Sequence, residues 1–587
     1  VIFTIFPTLK IYSNKMNKLP KSILTLTAPE ALDFLMNSER YCTFELPEYF
    51  DFQPMLDFVR KRVGDTPYLD CLASDPCKLN NVNQDVLLNK DGRYAIRPLA
   101  LVNPYLYYFL VRELCSDRNW KALCKGFKLF HTPNITACAI PVIPEKKEQF
   151  HNSTTVLNWW NMMEQRTVEL SMEYKYMFVT DITNCYGSIN PQMLDNALAM
   201  RDTKFETKDN RNFASSIVKI LQAMQGGRNI GIPQGSVLFD LVAEIILGYA
   251  DLLLAEKIGS NVDYKVLRYR DDYRIFCNDR NKLEEISYML QLILRQLNFQ
   301  MNSKKTMVSD DILSDAIKPD KQFYVFNTPI TRKRRVYSLV TDNDGKQKLV
   351  SSVEQECDYN GLQKNLLFIR LFGRKFPNCG QLKTLLNEFD ARLVKLLDDK
   401  NKTMHVNVYE DVDTDSNDYD TTVKETSTSL FSKIIKEQQH NHIIENIRPM
   451  VAIATQIAQE NICAAHYALR IVSRLISTLD DNDKNKSKEK RDIIDKVRTK
   501  LRNQYNANYL EIWLQNMTYN LDCIHDESKY EMPLCRLVMN DRITLWNNAW
   551  LTQPLTFHFP QRSIVNRKLL KELSPVIKIK ARYGYDE

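Results

Sequence analysis

Two short apolar runs, Tyr264–Leu267 and Tyr273–Cys277, flank the string Tyr269-Arg270-Asp271-Asp272. Apolar runs of that length around a tight acidic turn predict a β-hairpin. Upstream, Tyr176–Thr180 is an apolar, β-rich run that ends in Asp181, which predicts a strand. Between these, Leu238–Ile258 carries charge only at Asp240, Glu244, Asp251, Glu256 and Lys257. The first three recur at spacings of four and seven, which puts them on one narrow polar stripe of a buried helix. Glu256 and Lys257 fall off that stripe beside Gly259, where the helix is predicted to end. Acids spread through the run exclude a membrane span.

Asn281–Leu297 reads as an amphipathic helix, as do Ala28–Asn37 and Met55–Val63, and Asn190-Pro191 reads as a helix start. Past residue 346, the stretches Leu362–Leu397, Phe431–Leu479 and Ile493–Met517 are long and helical in period. No clean repeat period is visible, although a helical-repeat stack fits. The polar stretches Tyr409–Thr428 and Asp480–Arg491 are predicted to be loops.

A chain of 587 residues exceeds one ordinary core, so more than one domain is expected. Residues 1–88 are expected to form an N-terminal extension, 89–345 a central catalytic unit and 346–587 a helical C-terminal domain. An apolar fraction of 44%, with 28 Tyr and 26 Phe, excludes a disordered protein. The net charge of +7 permits nucleic-acid binding without demanding it. The 13 scattered cysteines form no Cys-x-x-Cys pair and fit reduced thiols and a cytoplasmic location. Cys463 and His466 are spaced as a two-ligand pair, but a helix core or surface is the better reading. Val1–Pro7 is too short for a membrane span and lacks a signal-peptide pattern; Met16, or an alternative initiator at Val1, is the expected start.

Two adjacent carboxylates at a hairpin tip repel each other unless a cation sits there. Mg²⁺ is the economical answer, because it takes oxygen ligands and bridges phosphates. A strand ending in Asp181 beside the Asp271-Asp272 tip would gather carboxylates around a metal pair, as phosphoryl transfer requires. Between them lies Gly231-Ile232-Pro233-Gln234-Gly235-Ser236, whose glycines let backbone approach a substrate closely. Arg270 is a long cation in the same turn, and regular alternation would put residues 268, 270 and 272 on one face. It needs a partner: a nucleic-acid phosphate, a nearby acid such as Asp272, an unusual primer, or a salt bridge folded away from the site.

The order Asp181-x-x-x-x-Tyr186, then Pro233-Gln234-Gly235, then Tyr269-x-Asp271-Asp272 resembles motifs A, B and C of the reverse transcriptase palm. Leu297-Asn298-Phe299-Gln300-Met301-Asn302-Ser303-Lys304-Lys305 resembles motif D, and Arg93-Tyr94-Ala95-Ile96-Arg97-Pro98 a fingers segment. The resemblance covers about residues 89 to 310. It implies an α+β fold, with fingers and a right-hand palm built on an antiparallel sheet, followed here by an all-α C-terminal half. It implies a Mg²⁺-dependent (or Mn²⁺-dependent) nucleotidyltransferase using dNTPs. Asp181, Asp271 and the Ile182 carbonyl would hold metal, and Asp272 would lie close by. Tyr186 would sit under the incoming sugar and clash with a 2′-hydroxyl. Gln234 and Gly235 would border the base or template, Arg93 and Arg97 would touch the nucleotide's phosphates, and Lys305, or Lys304, would protonate the leaving pyrophosphate. The basic run Thr331–Arg335 reads either as a strand-holding segment or as an exposed hairpin.

Departures from the common pattern narrow the class. Motif B usually continues with Ser-Pro, where this chain has Phe239-Asp240. Retron signatures and the nuclease tail of group II intron enzymes are not recognisable. The helical C-terminal half resembles bacterial abortive-infection and other defence-associated reverse transcriptases. That resemblance implies antiphage defence, single-stranded DNA as product, synthesis with or without an RNA template or non-coding RNA, priming from a tyrosine hydroxyl, homo-oligomers and no membrane. The alternatives are an RNA-copying enzyme of a mobile element or housekeeping role, and a silent palm used as a scaffold. The intact Asp181, Asp271 and Asp272 argue against the scaffold.

Overall fold

The computed structural model describes residues 21–89, 95–144, 158–171, 173–206, 211–316, 319–320, 323, 331–341, 347–357, 362–397, 443, 447–479, 484–502, 508–521, 530–556 and 559–579. The expectations for Val1–Pro7, Arg93 and Tyr409–Thr428 lie outside these residues.

The chain opens with helices α1 (Ala28–Leu35) and α2 (Gln53–Val63), then a two-stranded antiparallel hairpin, β1 (Gln84–Asn89) and β2 (Ile96–Leu101). Helices α3 (Pro104–Leu114) and α4 (Asp117–Phe130) follow. Pro104 opens α3 at a position where its missing N–H costs nothing, and the Asn103 side chain caps the Tyr105 N–H at 3.0 Å.

The palm sheet has five strands in the order β3–β5–β6–β4–β7. They are β3 (Ile135–Ala137), β4 (Tyr176–Asp181), β5 (Tyr264–Tyr269), β6 (Asp272–Cys277) and β7 (Met307–Ser309). All neighbours are antiparallel except β3 and β5. Alternation sends Phe178, Val266 and Ile275 into the main core. Met177, Leu267 and Phe276 pack on the opposite face with Met163 and Leu170. Burial on both faces explains why these strands read as nearly continuous apolar runs.

The helices around the sheet are α5 (Arg211–Met224), α6 (Val237–Ile258) and α7 (Arg280–Gln296). The Ser236 hydroxyl caps α6 through the Leu238 N–H, and α6 stops at Gly259, which has φ +78°. At Gly248 a Cβ would lie 2.8 Å from the Phe130 ring, so the missing side chain lets α4 cross α6 closely.

The C-terminal half begins with a long hairpin, β8 (Thr331–Thr341) and β9 (Gln347–Cys357). The basic run Thr331–Arg335 lies in β8, with Arg332 opposite Glu356 and Arg334 opposite Glu354 in register. Helices α8 (Leu362–Lys375), α9 (Gly380–Leu397), α10 (Ile447–Glu460), α11 (Ala465–Ser477), α12 (Lys484–Arg502) and α13 (Tyr509–Thr518) follow. The helical stretch Leu362–Leu397 divides into α8 and α9, because Pro377 cannot continue a helix and Asn378 takes φ +56°. The loop expected over Asp480–Arg491 is largely the first half of α12. Its Lys and Glu residues are good helix formers on a solvated face, and Arg448 of α10 pairs with Glu489 at 2.8 Å and Asp492 at 2.9 Å. No helix among the described residues is long and apolar enough to cross a membrane.

One hydrophobic cluster runs from Ile23 to Ile577. Buried residues of 21–88 therefore belong to the same cluster as those of the palm and the C-terminal helices.

Candidate active site at the palm hairpin

The hairpin forms where the apolar runs place it. Tyr269 pairs with Asp272 in register, which leaves Arg270 and Asp271 as the two turn residues. Arg270 takes φ +54°, the left-handed conformation that such tight hairpins require at the first turn position. A side chain there costs of order 1–3 kcal/mol.

Strand β4 delivers Asp181 to the same end of the sheet. Asp181 stands opposite Asp272 in the β4–β6 ladder, and the Ile182 N–H donates to the Asp271 carbonyl at 3.0 Å. The segment after Phe299 closes the third side: Asn302 N–H donates to the Asp181 carbonyl at 2.9 Å, and Lys305 Nζ bonds Asp181 Oδ2. Asp181 Oδ1 is buried with no hydrogen-bond partner. Burial, with Asp181 adding repulsion, pushes the Asp271 carboxyl up from its ordinary range. Burial opposes the charge on Lys305, but Asp181 outweighs it and the ammonium is held above its ordinary value.

These donors fit a hard divalent cation: a buried, unpartnered carboxylate oxygen, a second destabilised carboxylate and backbone carbonyls. Among the described residues no three His, Cys, Asp or Glu side chains form a metal-ready group, so the Asp181–Asp271 pair carries the fit. Lys305 is 59% exposed and neutralises Asp181. The Cys463–His466 pair is not a metal site either: His466 is buried, stacked on Trp513 at 4.8 Å and paired with Glu45.

The Gln234–Gly235 loop is pinned from outside the palm. Ala100 N–H of β2 donates to the Gln234 carbonyl at 2.8 Å, and Thr43 N–H to the Gly235 carbonyl at 2.9 Å. Gly235 has φ +121°, and a Cβ there would meet the Phe44 ring at 3.1 Å. Arg97 is exposed on β2, in the same hairpin.

Tyr186 is 8% exposed, and its hydroxyl donates to Asp240 Oδ1 at 2.5 Å. Arg270 Nη2 donates to Asp240 Oδ2 at 2.6 Å. The observed partner of Arg270 is thus Asp240 of α6 and not Asp272, and the turn interrupts the alternation expected over residues 268–272. Arg268 points into the fold, fully buried, with Nη1 and Nη2 on Glu244 at 2.9 and 3.0 Å and Nε on Asp251 at 2.8 Å. The acidic stripe of α6 is therefore the set of partners for Arg268 and Arg270. The stripe was visible in the sequence; its pairing with Arg268 and Arg270 was not, because spacing does not say which strand lies over a helix.

With that geometry in place, comparison with family models matches residues 128–362, less than half of the chain, to "Reverse transcriptase (RNA-dependent DNA polymerase)". The matched segment is a reverse transcriptase domain, and the chain is a nucleotidyltransferase of the DNA polymerase type. No curated protein matches the chain. Among solved structures it is similar to telomerase from Candida albicans in complex with a TWJ fragment of telomeric RNA, at 12% identity over 74% of this chain and 67% of that chain, with a TM-score of 0.27. It is also similar to the corresponding telomerase complex from Candida tropicalis, at 12% identity over 71% of this chain and 64% of that chain, with a TM-score of 0.25.

Proposed function

We propose that the chain is a Mg²⁺-dependent DNA polymerase of the reverse transcriptase family that acts in antiphage defence and joins dNTPs into single-stranded DNA; template-free synthesis from a protein tyrosine is what the resemblance to defence enzymes implies. The observation that supports polymerisation most directly is the convergence of Asp181 and Asp271 at the open end of the palm sheet, with Asp181 Oδ1 buried and unpartnered. The defence reading is supported by Phe239-Asp240 in place of Ser-Pro and by the helical C-terminal half. Homo-oligomerisation rests on the same resemblance.

Asp181, Asp271 and the Ile182 carbonyl would hold the ions, with Asp272 beside them. Bound there, Mg²⁺ would lower the pKa of the attacking hydroxyl and screen the phosphate charge. The attacking hydroxyl gives its proton to solvent water and bonds to the α-phosphorus as the bond from that phosphorus to pyrophosphate breaks. Lys305, more than half exposed and paired with Asp181, would leave that partner and protonate the pyrophosphate. On the same resemblance, Tyr186 would lie under the incoming sugar, Gln234 and Gly235 would border the base or template, and Arg97, exposed on β2, would touch the phosphates.

The test is to incubate pure protein with each dNTP and Mg²⁺, without nucleic acid, and to digest the product with DNase or protease. DNA that protease shifts in mobility is expected. DNA made only when RNA is supplied would replace this reading with an RNA-templated one, which the printed family description favours. No synthesis under either condition would leave the scaffold reading.

A further inference from the structure

Asp240 sits at a junction that neither motif A nor motif C accounts for. It belongs to α6, yet one carboxylate oxygen accepts from the Tyr186 hydroxyl after motif A, and the other accepts from Arg270 in the motif C turn. The residue is 8% exposed. It stands where the common motif B pattern has Pro, a residue that can make neither contact.

We propose that Asp240 is a positioning residue for sugar selection: it fixes the Tyr186 ring and occupies its hydroxyl, with Arg270 holding Asp240 in place. The inference rests on the reading of Tyr186 as the residue under the incoming sugar.

A tyrosine ring tethered through its hydroxyl cannot tilt away from a 2′-hydroxyl, whereas a ring anchored only through its backbone can. Here the proton of that hydroxyl is committed to Asp240, and burial together with the Asp240 charge keeps the phenol protonated far above its ordinary range. The ring is tethered at its far end as well as through its backbone, where the Tyr186 carbonyl accepts from the Ile232 N–H of the motif B loop at 2.9 Å. Finally, the Asp240 charge is balanced by Arg270, whose guanidinium also lies over the Tyr269 ring, 5.7 Å from its centroid. The left-handed turn at Arg270 is thereby coupled to the gate through one carboxylate.

The test compares kcat/KM for a dNTP with that for the matching rNTP, in whichever reaction the wild-type full chain supports. Tyr186→Ala establishes whether the gate exists: a collapse of the ratio confirms it, and an unchanged ratio overturns the gate itself. Given a gate, Asp240→Ala and Tyr186→Phe should each lower the ratio about tenfold, the scale of one hydrogen bond to a charged group. The double variant should fall no further than Asp240→Ala alone, because both changes cut the same tether. Tyr186→Phe removes only an oxygen, so it remains informative if Asp240→Ala fails to fold. A ratio within twofold of wild type in Tyr186→Phe, or additive losses in the double variant, would overturn the role of Asp240 while leaving the gate standing.

Discussion

Arg268 has no side-chain surface in contact with solvent, and two carboxylates share its single charge. The buried triad is one negative charge in excess, and burial pushes Asp251 up to about 6 against the pull of Arg268. That value lies above the ordinary carboxylate pKa of about 3.9 in an unfolded chain. The folded state therefore keeps a proton that the unfolded state releases. Stability from Asp251 is fully present below about pH 4 and is lost as the pH rises through about 6. Asp251→Asn should flatten this slope, so melting at pH 5 and pH 8 should separate the wild type more than the variant; equal separations would contradict the assignment. Arg268→Leu strands both acids and should cost about 3–5 kcal/mol, seen as a large drop in melting temperature. At the open end of the sheet the expectation concerns rate, not stability. Asp181→Ala or Asp271→Ala should keep a wild-type circular dichroism spectrum and lose roughly a thousandfold or more in nucleotide incorporation.

Among the elements, the Gln234–Gly235 loop depends most on a single backbone position. At φ +121° with the Phe44 ring 3.1 Å from a would-be Cβ, Gly235→Ala combines strain with crowding, at a cost of order 1–3 kcal/mol. Phe44 can yield a few tenths of an ångström, but the backbone cannot relax without breaking the bonds from Ala100 and Thr43. Incorporation should fall at least about tenfold, mostly in KM, while the melting temperature drops by only a few degrees. The sequence showed these glycines as close-approach points because short motifs carry their own geometry. The strands β4, β5 and β6 and the helix α6 were equally legible, since each is long, apolar and ended by a recognisable turn or glycine. What hydrophobic patterning could not show was contact across distance. Nothing local says that Thr43 reaches Gly235, that Arg270 meets Asp240, or that a run of Lys and Glu over 484–491 joins a helix once Arg448 stands beside it.

On the scale of the whole molecule, the C-terminal segment does not behave as a separate tail. Trp546 Nε1 donates to the Leu101 carbonyl at 2.9 Å, and Asn103 donates to Asn548 at 2.8 Å. Ala73 N–H donates to the Trp550 carbonyl at 2.7 Å, and Asn566 N–H to the Tyr49 carbonyl at 2.7 Å. Trp546 and Trp550 are 1% and 0% exposed. Leu101 follows Ala100, the residue whose N–H holds the Gln234 loop, so Trp546 braces the same C-terminal end of β2 that positions motif B. A chain divided into independent units would keep a working palm after loss of its C-terminal part. This packing argues the reverse: ending the chain at residue 544 should expose the core between α3 and β2 and abolish incorporation, even though every palm motif remains. Truncation alone does not separate lost bracing from general unfolding, so the sharper variant is Trp546→Phe. It keeps most of the buried ring surface and removes the indole donor, leaving the Leu101 carbonyl without that bond, at a cost of about 1–3 kcal/mol. The expected signature is a protein that still folds but binds nucleotide more weakly, with KM rising more than kcat falls, because the disturbance reaches the site through β2 and the Gln234 loop. A Trp546→Phe protein with wild-type KM and a lowered melting temperature would show that the C-terminal segment stabilises the fold without setting the geometry of motif B.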